Sequence, residues 1–272
     1  MAITSNSGVI SGLQYPRTFI KTDTGTKVAG RPFTLWAQAG SPAAGSYDTT
    51  LNGVTLSSSS SQVTGQIPFT DPNSGNAYLG YADLQPTIDN KFMVIVADRL
   101  WHNGGFTITS TSAQNIVSPT WPARDINGAT TGEGVLLALE VSGTVSTGTP
   151  TITVSYTNTA GTSGRTATNI IPTAASVVAG TTYFLSLQAG DTGVKSVESL
   201  TLSATWTSGT INLVAYRPLA MFPLIADGTG QRFDALTMGM PQLFNGSVPY
   251  FMYVPYTSGT ASLVATIGYT WG

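Results

Sequence analysis

Thr151-Ile152-Thr153-Val154-Ser155-Tyr156 and Thr201-Leu202-Ser203-Ala204-Thr205-Trp206 place an apolar side chain at every second position. A period of two belongs to a β-strand with one face in a core and one in solvent. Working outward, strand-like segments recur from Lys91 onward: Phe92 to Ala97, Gly105 to Thr111, Gly134 to Val141, Thr149 to Tyr156, Ala167 to Ile171, Thr182 to Leu187, Ser199 to Trp206, Thr210 to Tyr216, Tyr250 to Val254 and Ala261 to Tyr269. Turn-forming residues separate them at Asn158 to Gly164, Gly190 to Gly193, Thr207 to Gly209 and Ser258-Gly259. Regular short strands with Gly-rich turns predict an all-β fold, an antiparallel β-sandwich of the jelly-roll kind. No window carries apolar residues at helical spacing, with caps, over three turns, so any helix should be short. No fixed-period repeat is present, which sets solenoids and propellers aside.

The first 90 residues read differently. Pro16, Pro32, Pro42, Pro68, Pro72 and Pro86 punctuate short apolar pieces, and Ser57 to Ser61 is an unbroken serine run. Residues 1–90 are therefore expected to form an extended, loop-rich arm laid against neighbouring subunits, ahead of a sandwich domain over 91–272. The stretch Tyr216 to Ile225, with Pro218 and Pro223, reads as a long insert between strands.

Composition decides which chemistries are open. Among 272 residues there are 11 Lys+Arg, 13 Asp+Glu, one histidine and no cysteine. Zinc, iron and copper sites of the usual kinds cannot be assembled from one chain of this make-up, and no cofactor is expected. Eleven scattered basic residues give no electrostatic footprint for a phosphate backbone, so nucleic acid is not expected as a direct ligand. The apolar segments Phe92 to Ala97 and Leu213 to Ala226 are too short or too broken to cross a bilayer, and no membrane partner is expected. Met1 to Ile10 lacks the basic and apolar regions of a secretory signal, so synthesis without export is expected. A chain this long can bury about 75% of its unfolded surface and needs no disulfide or metal staple. Few surface charges imply either a Thr/Ser-coated soluble exterior or a surface covered by partners, and the second is the favoured reading.

Three motifs bear on catalysis. Asp23-Thr24-Gly25 and Asp191-Thr192-Gly193 match the tripeptide that carries the shared-proton carboxylates of aspartic proteases. Their flanks, Lys21-Thr22 and Gln188-Ala189-Gly190, are not apolar strands, and Asp-Thr-Gly is also an ordinary turn sequence. His102, as the one imidazole, would have to serve any Ser-His-Asp triad, and no Gly-x-Ser-x-Gly elbow presents a nucleophile. Asp71-Pro72-Asn73-Ser74-Gly75-Asn76 resembles a calcium loop without its bidentate glutamate and reads as a turn. No catalytic residue is assigned, and the chain is expected not to be an enzyme.

The densest cluster of unusual residues is Asp98-Arg99-Leu100-Trp101-His102-Asn103-Gly104-Gly105, with Ser118-Pro119-Thr120-Trp121-Pro122-Ala123-Arg124-Asp125 after it. One reading packs Trp101 and Trp121 under a loop, with Arg99 and Arg124 paired to Asp98 and Asp125. The other makes Trp101, His102, Trp121 and Arg124 anchors of a subunit interface, to which Met221, Phe222 and Tyr253 add a Met-rich, aromatic patch.

The segments Ala97 to Gly105, Ser118 to Gly128 and Glu133-Gly134-Val135 together resemble virion proteins of tailed bacteriophages, over about 50 residues. That resemblance implies a non-enzymatic head component, a capsid decoration or cement protein on the outer face of the shell. It also implies contact with the major capsid protein or other virion proteins, and a homo-oligomer, with a trimer favoured. Synthesis in the host cytoplasm and residence in the virion, on the phage head surface, go with it. The competing expectation is a tail or fibre module binding host glycans through exposed Trp101 or Trp121.

Overall fold

The structure, a computed structural model, describes residues 3, 5–23, 25–86, 91–171, 177–226, 228–260 and 262–272. The chain runs α1 (Asn6–Ser11), β1 (Arg17–Thr22), β2 (Phe33–Thr34), β3 (Ala39–Ser41), β4 (Val54–Thr55), β5 (Ala77–Pro86), β6 (Phe92–His102), β7 (Gln114–Asn115), β8 (Leu136–Gly143) and β9 (Thr151–Asn158). It continues through β10 (Arg165–Ile170), β11 (Thr182–Phe184), β12 (Val194–Leu202), β13 (Thr210–Leu224), β14 (Gln231–Phe233), α2 (Ala235–Met238), β15 (Gln242–Leu243), β16 (Pro249–Pro255) and β17 (Ser262–Trp271). The fold is all-β, with strands pairing antiparallel into curled sheets, as the alternating segments predict. The two helices among the described residues have six and four residues.

The chain divides into two compact units that alternate along the sequence. Unit 1 takes Met1–Ser46, Ser57–Asp98 and Leu219–Gly272, and unit 2 takes Tyr47–Leu56 and Arg99–Pro218. The boundary expected at residue 90 falls in 87–90, outside the described residues.

In unit 1, a sheet ordered β14-β5-β17-β1-β3, with β15 also on β5, faces the pair of β16 with the first seven residues of β6, on which β2 adds an edge. Aromatic contacts fill the space between. Phe19 of β1 meets Phe251 of β16 edge-on with centroids 4.7 Å apart, and Phe33 and Phe92 pack on Tyr253 at 5.4 and 5.1 Å. The N-terminal region is part of this packing. β1 lies between β17 and β3 and buries Phe19 completely, so residues 17–22 supply a paired strand of this sheet.

β5 shows why alternation alone does not find this unit. Its inward residues are Ala77 and Leu79, then Ala82, Leu84 and Pro86, because the pairing slips beside Gly80, where a bulge shifts the inward parity from odd to even. The solvent face thus carries Tyr78, Tyr81, Asp83 and Gln85.

In unit 2, the sheet β10-β9-β12-β7 covers a sheet ordered β11-β8-β13 through residues 210–216 of β13, while β4 pairs with the end of β6. Along β9 every second residue is buried: Ile152, Val154 and Tyr156 have no exposed surface. Each such aliphatic side chain contributes about 1.5–3 kcal/mol of burial. Leu200, Leu213, Trp121 and Trp206 belong to the same core.

Three strand expectations change. Gly105 to Thr111 is not a strand, although Phe106 and Ile108 are buried. β12 ends at Leu202, so the alternation through Trp206 outlasts its strand. β13 runs on through Leu224, and the expected insert after Tyr216 is strand instead; Pro218 and Pro223 lie past the residues that pair with β8, where their missing N–H groups cost that ladder nothing.

Candidate functional site

The Trp-Arg cluster lies in unit 2 and is enclosed by its own chain. Arg99 donates to Glu140 (Nη1 to Oε1, 3.0 Å), Nη2 lies 2.9 Å from Oε2, and both residues are fully buried. Nε and Nη2 of Arg99 also face Nδ1 of His102 at 3.3 and 3.2 Å, and the guanidinium lies 5.7 Å from the Tyr47 ring centre. Burial, then the positive charge of Arg99, pushes the His102 pKa down to about 2, so the imidazole is neutral and its Nδ1 accepts. Burial and the charge of Glu140 raise the Tyr47 phenol well above its ordinary value. A neutral histidine locked on an arginine is held out of proton transfer.

The tryptophan rings of this cluster stack at 5.4 Å. Trp101 donates its indole N–H to the Asn52 carbonyl and Trp121 to that of Val194. Arg124 donates Nη2 to the carbonyls of Leu56 and Arg99. Asp125 accepts at Oδ1 from the N–H groups of Asn127 and Ala129, and at Oδ2 from the Thr131 hydroxyl and the N–H groups of Gly132 and Glu133. Burial alone would raise the Asp125 pKa, but these hydrogen bonds hold it below the ordinary carboxylate range. Both tryptophans are packed inside the chain, as the first reading has it. Asp98 accepts from the Ser247 hydroxyl and the Val248 N–H in unit 1, while Arg99 turns to Glu140, because successive strand residues point to opposite faces.

Of the seven residues expected at an interface, Trp101, His102, Trp121 and Arg124 in unit 2, and Phe222 and Tyr253 in unit 1, are buried by this chain. Met221, 57% exposed, is the member of that set open to a partner. The large aromatic and Arg types that anchor interfaces also fill cores, and burial type alone does not separate the two uses.

The two Asp-Thr-Gly triplets fall in separate units. Asp23 lies in a buried ion pair, with Lys27 Nζ 2.8 Å from Oδ1 and 2.7 Å from Oδ2 and the Tyr253 hydroxyl donating to Oδ2. Asp191 accepts from Tyr156 (2.5 Å), Asn158 (2.7 Å) and Arg165 Nε (2.8 Å). Bonds from Arg165, then Tyr156, pull its pKa down to about 2. A shared-proton dyad needs one carboxylate whose pKa is raised. Asp191 is driven the opposite way and Asp23 sits on a cation, so neither carboxylate fits protease chemistry. Among the described residues, no group of three or more His, Cys, Asp or Glu side chains could hold a metal ion.

Three features escaped the sequence reading: Glu140, which pairs with Arg99 from the apolar-looking segment Leu136 to Val141; Lys21, fully buried with Nζ donating to the carbonyls of Gln38 and Ala43; and the Asp83–Arg232 pair on the solvent face of unit 1. A lone charge inside an apolar run was the available signal for Glu140, which is fully buried in β8.

No protein-family model and no curated protein matches the chain. Two solved structures were compared. The infectious bursal disease virus Gt strain structure is 7% identical, with 99% of this chain and 83% of that chain covered and a TM-score of 0.17. A mutant VP2 protein of the same virus in derived T=1 particles is 8% identical, with 99% and 80% covered and a TM-score of 0.15.

Proposed function

We propose that this chain is a non-enzymatic structural subunit of a virion, a decoration or cement protein on the head of a tailed phage, working as a homo-oligomer, a trimer by preference, against the major capsid protein. The observation that carries the reading is the division of labour among its side chains. Arg99, Glu140, His102, Asp125, Asp23 and Asp191 are consumed by internal bonds, while large apolar side chains stand in solvent: Tyr15 at 88%, Ile10 at 74% and Leu236 at 83%. Exposed apolar residues on an otherwise well-satisfied fold suit a surface that meets other proteins. Ile10 and Tyr15 flank the start of β1, so the N-terminal segment offers contact side chains from a fixed base. The resemblance of residues 97–135 to tailed-phage virion proteins supports the same assignment. The tail or fibre reading looked to exposed Trp and Tyr, and of these Trp101 and Trp121 are buried at 0% and 1% exposure.

The experiment is mass spectrometry and electron microscopy of the purified particle whose genome encodes the chain. A fixed copy number on the head is expected, with Ile10→Asp/Tyr15→Asp reducing occupancy while the melting curve of the free protein is retained. Absence from particles, or undiminished occupancy of the variant, would overturn the role or the segment assigned to it.

A further inference from the structure

On the solvent face of the six-stranded sheet of unit 1, strand register assembles a row of polar side chains. Arg232 stands opposite Asp83, Asp83 opposite Thr266, and Thr266 opposite Thr18. The adjacent row sets Gln85 opposite Val264 and Val264 opposite Ile20. Arg232 holds Asp83 through two parallel bonds, Nε to Oδ1 and Nη2 to Oδ2, each 2.6 Å. Its guanidinium carbon is also 5.5 Å from the centre of the Tyr81 ring. That ring lies down on the sheet because Gly268 is beneath it: a Cβ at 268 would stand 2.0 Å from the ring's Cε1. The Gly80 bulge is what brings Tyr81, Asp83 and Gln85 to one face.

Over these rows opens a groove of about 250 Å³, lined among others by Asp83, Gln85, Gln231, Arg232, Val264 and Thr266. Its chemistry narrows the ligand. The one carboxylate and the one guanidinium neutralise each other, so the groove has no net charge to draw an ion. With the Asp83–Arg232 pair formed, Nη1 of Arg232, the remaining lone pairs of the Asp83 carboxylate and the Gln85 amide retain hydrogen-bonding capacity for neighbouring hydroxyls on a ring. Gln85 spends its amide N–H on the Gly228 carbonyl, which leaves its own carbonyl oxygen to accept. Val264 in the lining supplies apolar surface for a C–H face. Hydroxyl pairs on one side and C–H groups on the other describe a pyranose ring.

We propose that this groove is a binding site for a neutral saccharide unit, held at its hydroxyls by Asp83, Arg232 and Gln85 and at its C–H face by Val264. The volume lies just below the roughly 300–1,000 Å³ of small-molecule pockets, so one ring is the natural occupant. The site depends on unit 1 alone and stands whether or not the chain is a virion subunit.

The test is ligand-observed saturation-transfer NMR on the full chain with glucose, galactose, N-acetylglucosamine and, as an anionic comparison, glucuronate. Saturable binding of at least one neutral sugar is expected, with Kd on the order of 1 mM. Arg232→Met should weaken it by about tenfold, and the near-isosteric Thr266→Val should weaken it by a smaller factor. Both variants should keep the parental melting curve, since Arg232 is 71% exposed in its side chain; if one fails to fold, the other decides. No saturable signal for any neutral sugar, tighter binding of glucuronate, or unchanged binding in the folded variants would overturn the assignment.

Discussion

Arg99 in unit 2 and Lys21 in unit 1 are buried cations held in opposite ways. In unit 2, Arg99 is fully enclosed and meets Glu140 as a paired ion, with His102 kept neutral beside it. In unit 1, Lys21 is equally enclosed, yet its ammonium donates to two carbonyls, at 2.8 and 3.1 Å. A carboxylate offsets the cost of desolvating a cation, whereas carbonyl dipoles offset it only in part. The second arrangement leaves a proton that can come off, and burial has moved the Lys21 pKa down to about 8.

The sharpest way to break this contrast is to remove one member of the paired site. Arg99→Met leaves Glu140 buried without its cation, and such a change costs about 3–5 kcal/mol. The double variant Arg99→Met/Glu140→Leu restores a matched apolar pair and should recover most of that loss. Urea denaturation of the three proteins measures it. A double variant as unstable as the single one would show that packing around Arg99, not the stranded charge, sets the cost.

Lys21 should report through pH. Its folded pKa is about 8 against an ordinary value of 10.5, so in between the unfolded chain holds a proton that the folded chain lacks. Stability attributable to this group therefore rises as pH climbs from about 8 toward 10.5. Above pH 10 the buried tyrosines oppose it: Tyr253, raised above its ordinary 10.0 by burial and by Asp23, keeps its proton in the fold while the unfolded chain loses one. The clean window is pH 8 to 10. Melting temperature should climb there in the parent, and Lys21→Met should flatten the climb and melt higher than the parent below pH 8. Parallel profiles for the two proteins would place the ammonium in water.

How much of this was legible follows from where side-chain order survives bending. β9 and β16 could be read from residue type, since their faces alternate or are apolar throughout over an unbroken run. β5, with ten residues, could not, because Gly80 reverses the parity that alternation depends on. Nor could the serine run, where Ser58 is drawn inward by its hydroxyl bond to the Ser247 carbonyl, a partner 189 residues away. The Trp101 to Asp125 cluster was visible as composition but not as a role. Its packing depends on Asn52, Leu56 and Glu140, which nothing near the tryptophans in sequence announces. The groove on unit 1 was invisible for the same reason: Asp83 and Arg232 meet only through strand register.

The smallest effect expected separates the two Asp-Thr-Gly triplets. Asp191 has a folded pKa of about 2, below the ordinary 3.8, set first by Arg165 and then by Tyr156. A depressed carboxylate stabilises the fold above the unfolded pKa and loses that contribution as pH falls through the folded one, here from about 4 to about 2. Asp125 and Glu198 are depressed as well, so the parent alone does not isolate Asp191. The difference between parent and Asp191→Asn does. Asn keeps the shape and can still accept from Asn158, but it carries no charge for Arg165 and no proton to gain. The variant should start less stable at neutral pH and converge on the parent as pH drops toward 2. If the gap between them stays constant across that range, Asp191 acts through shape and hydrogen bonding in either protonation state, and the triplet in unit 2 is no more than the turn its sequence first suggests.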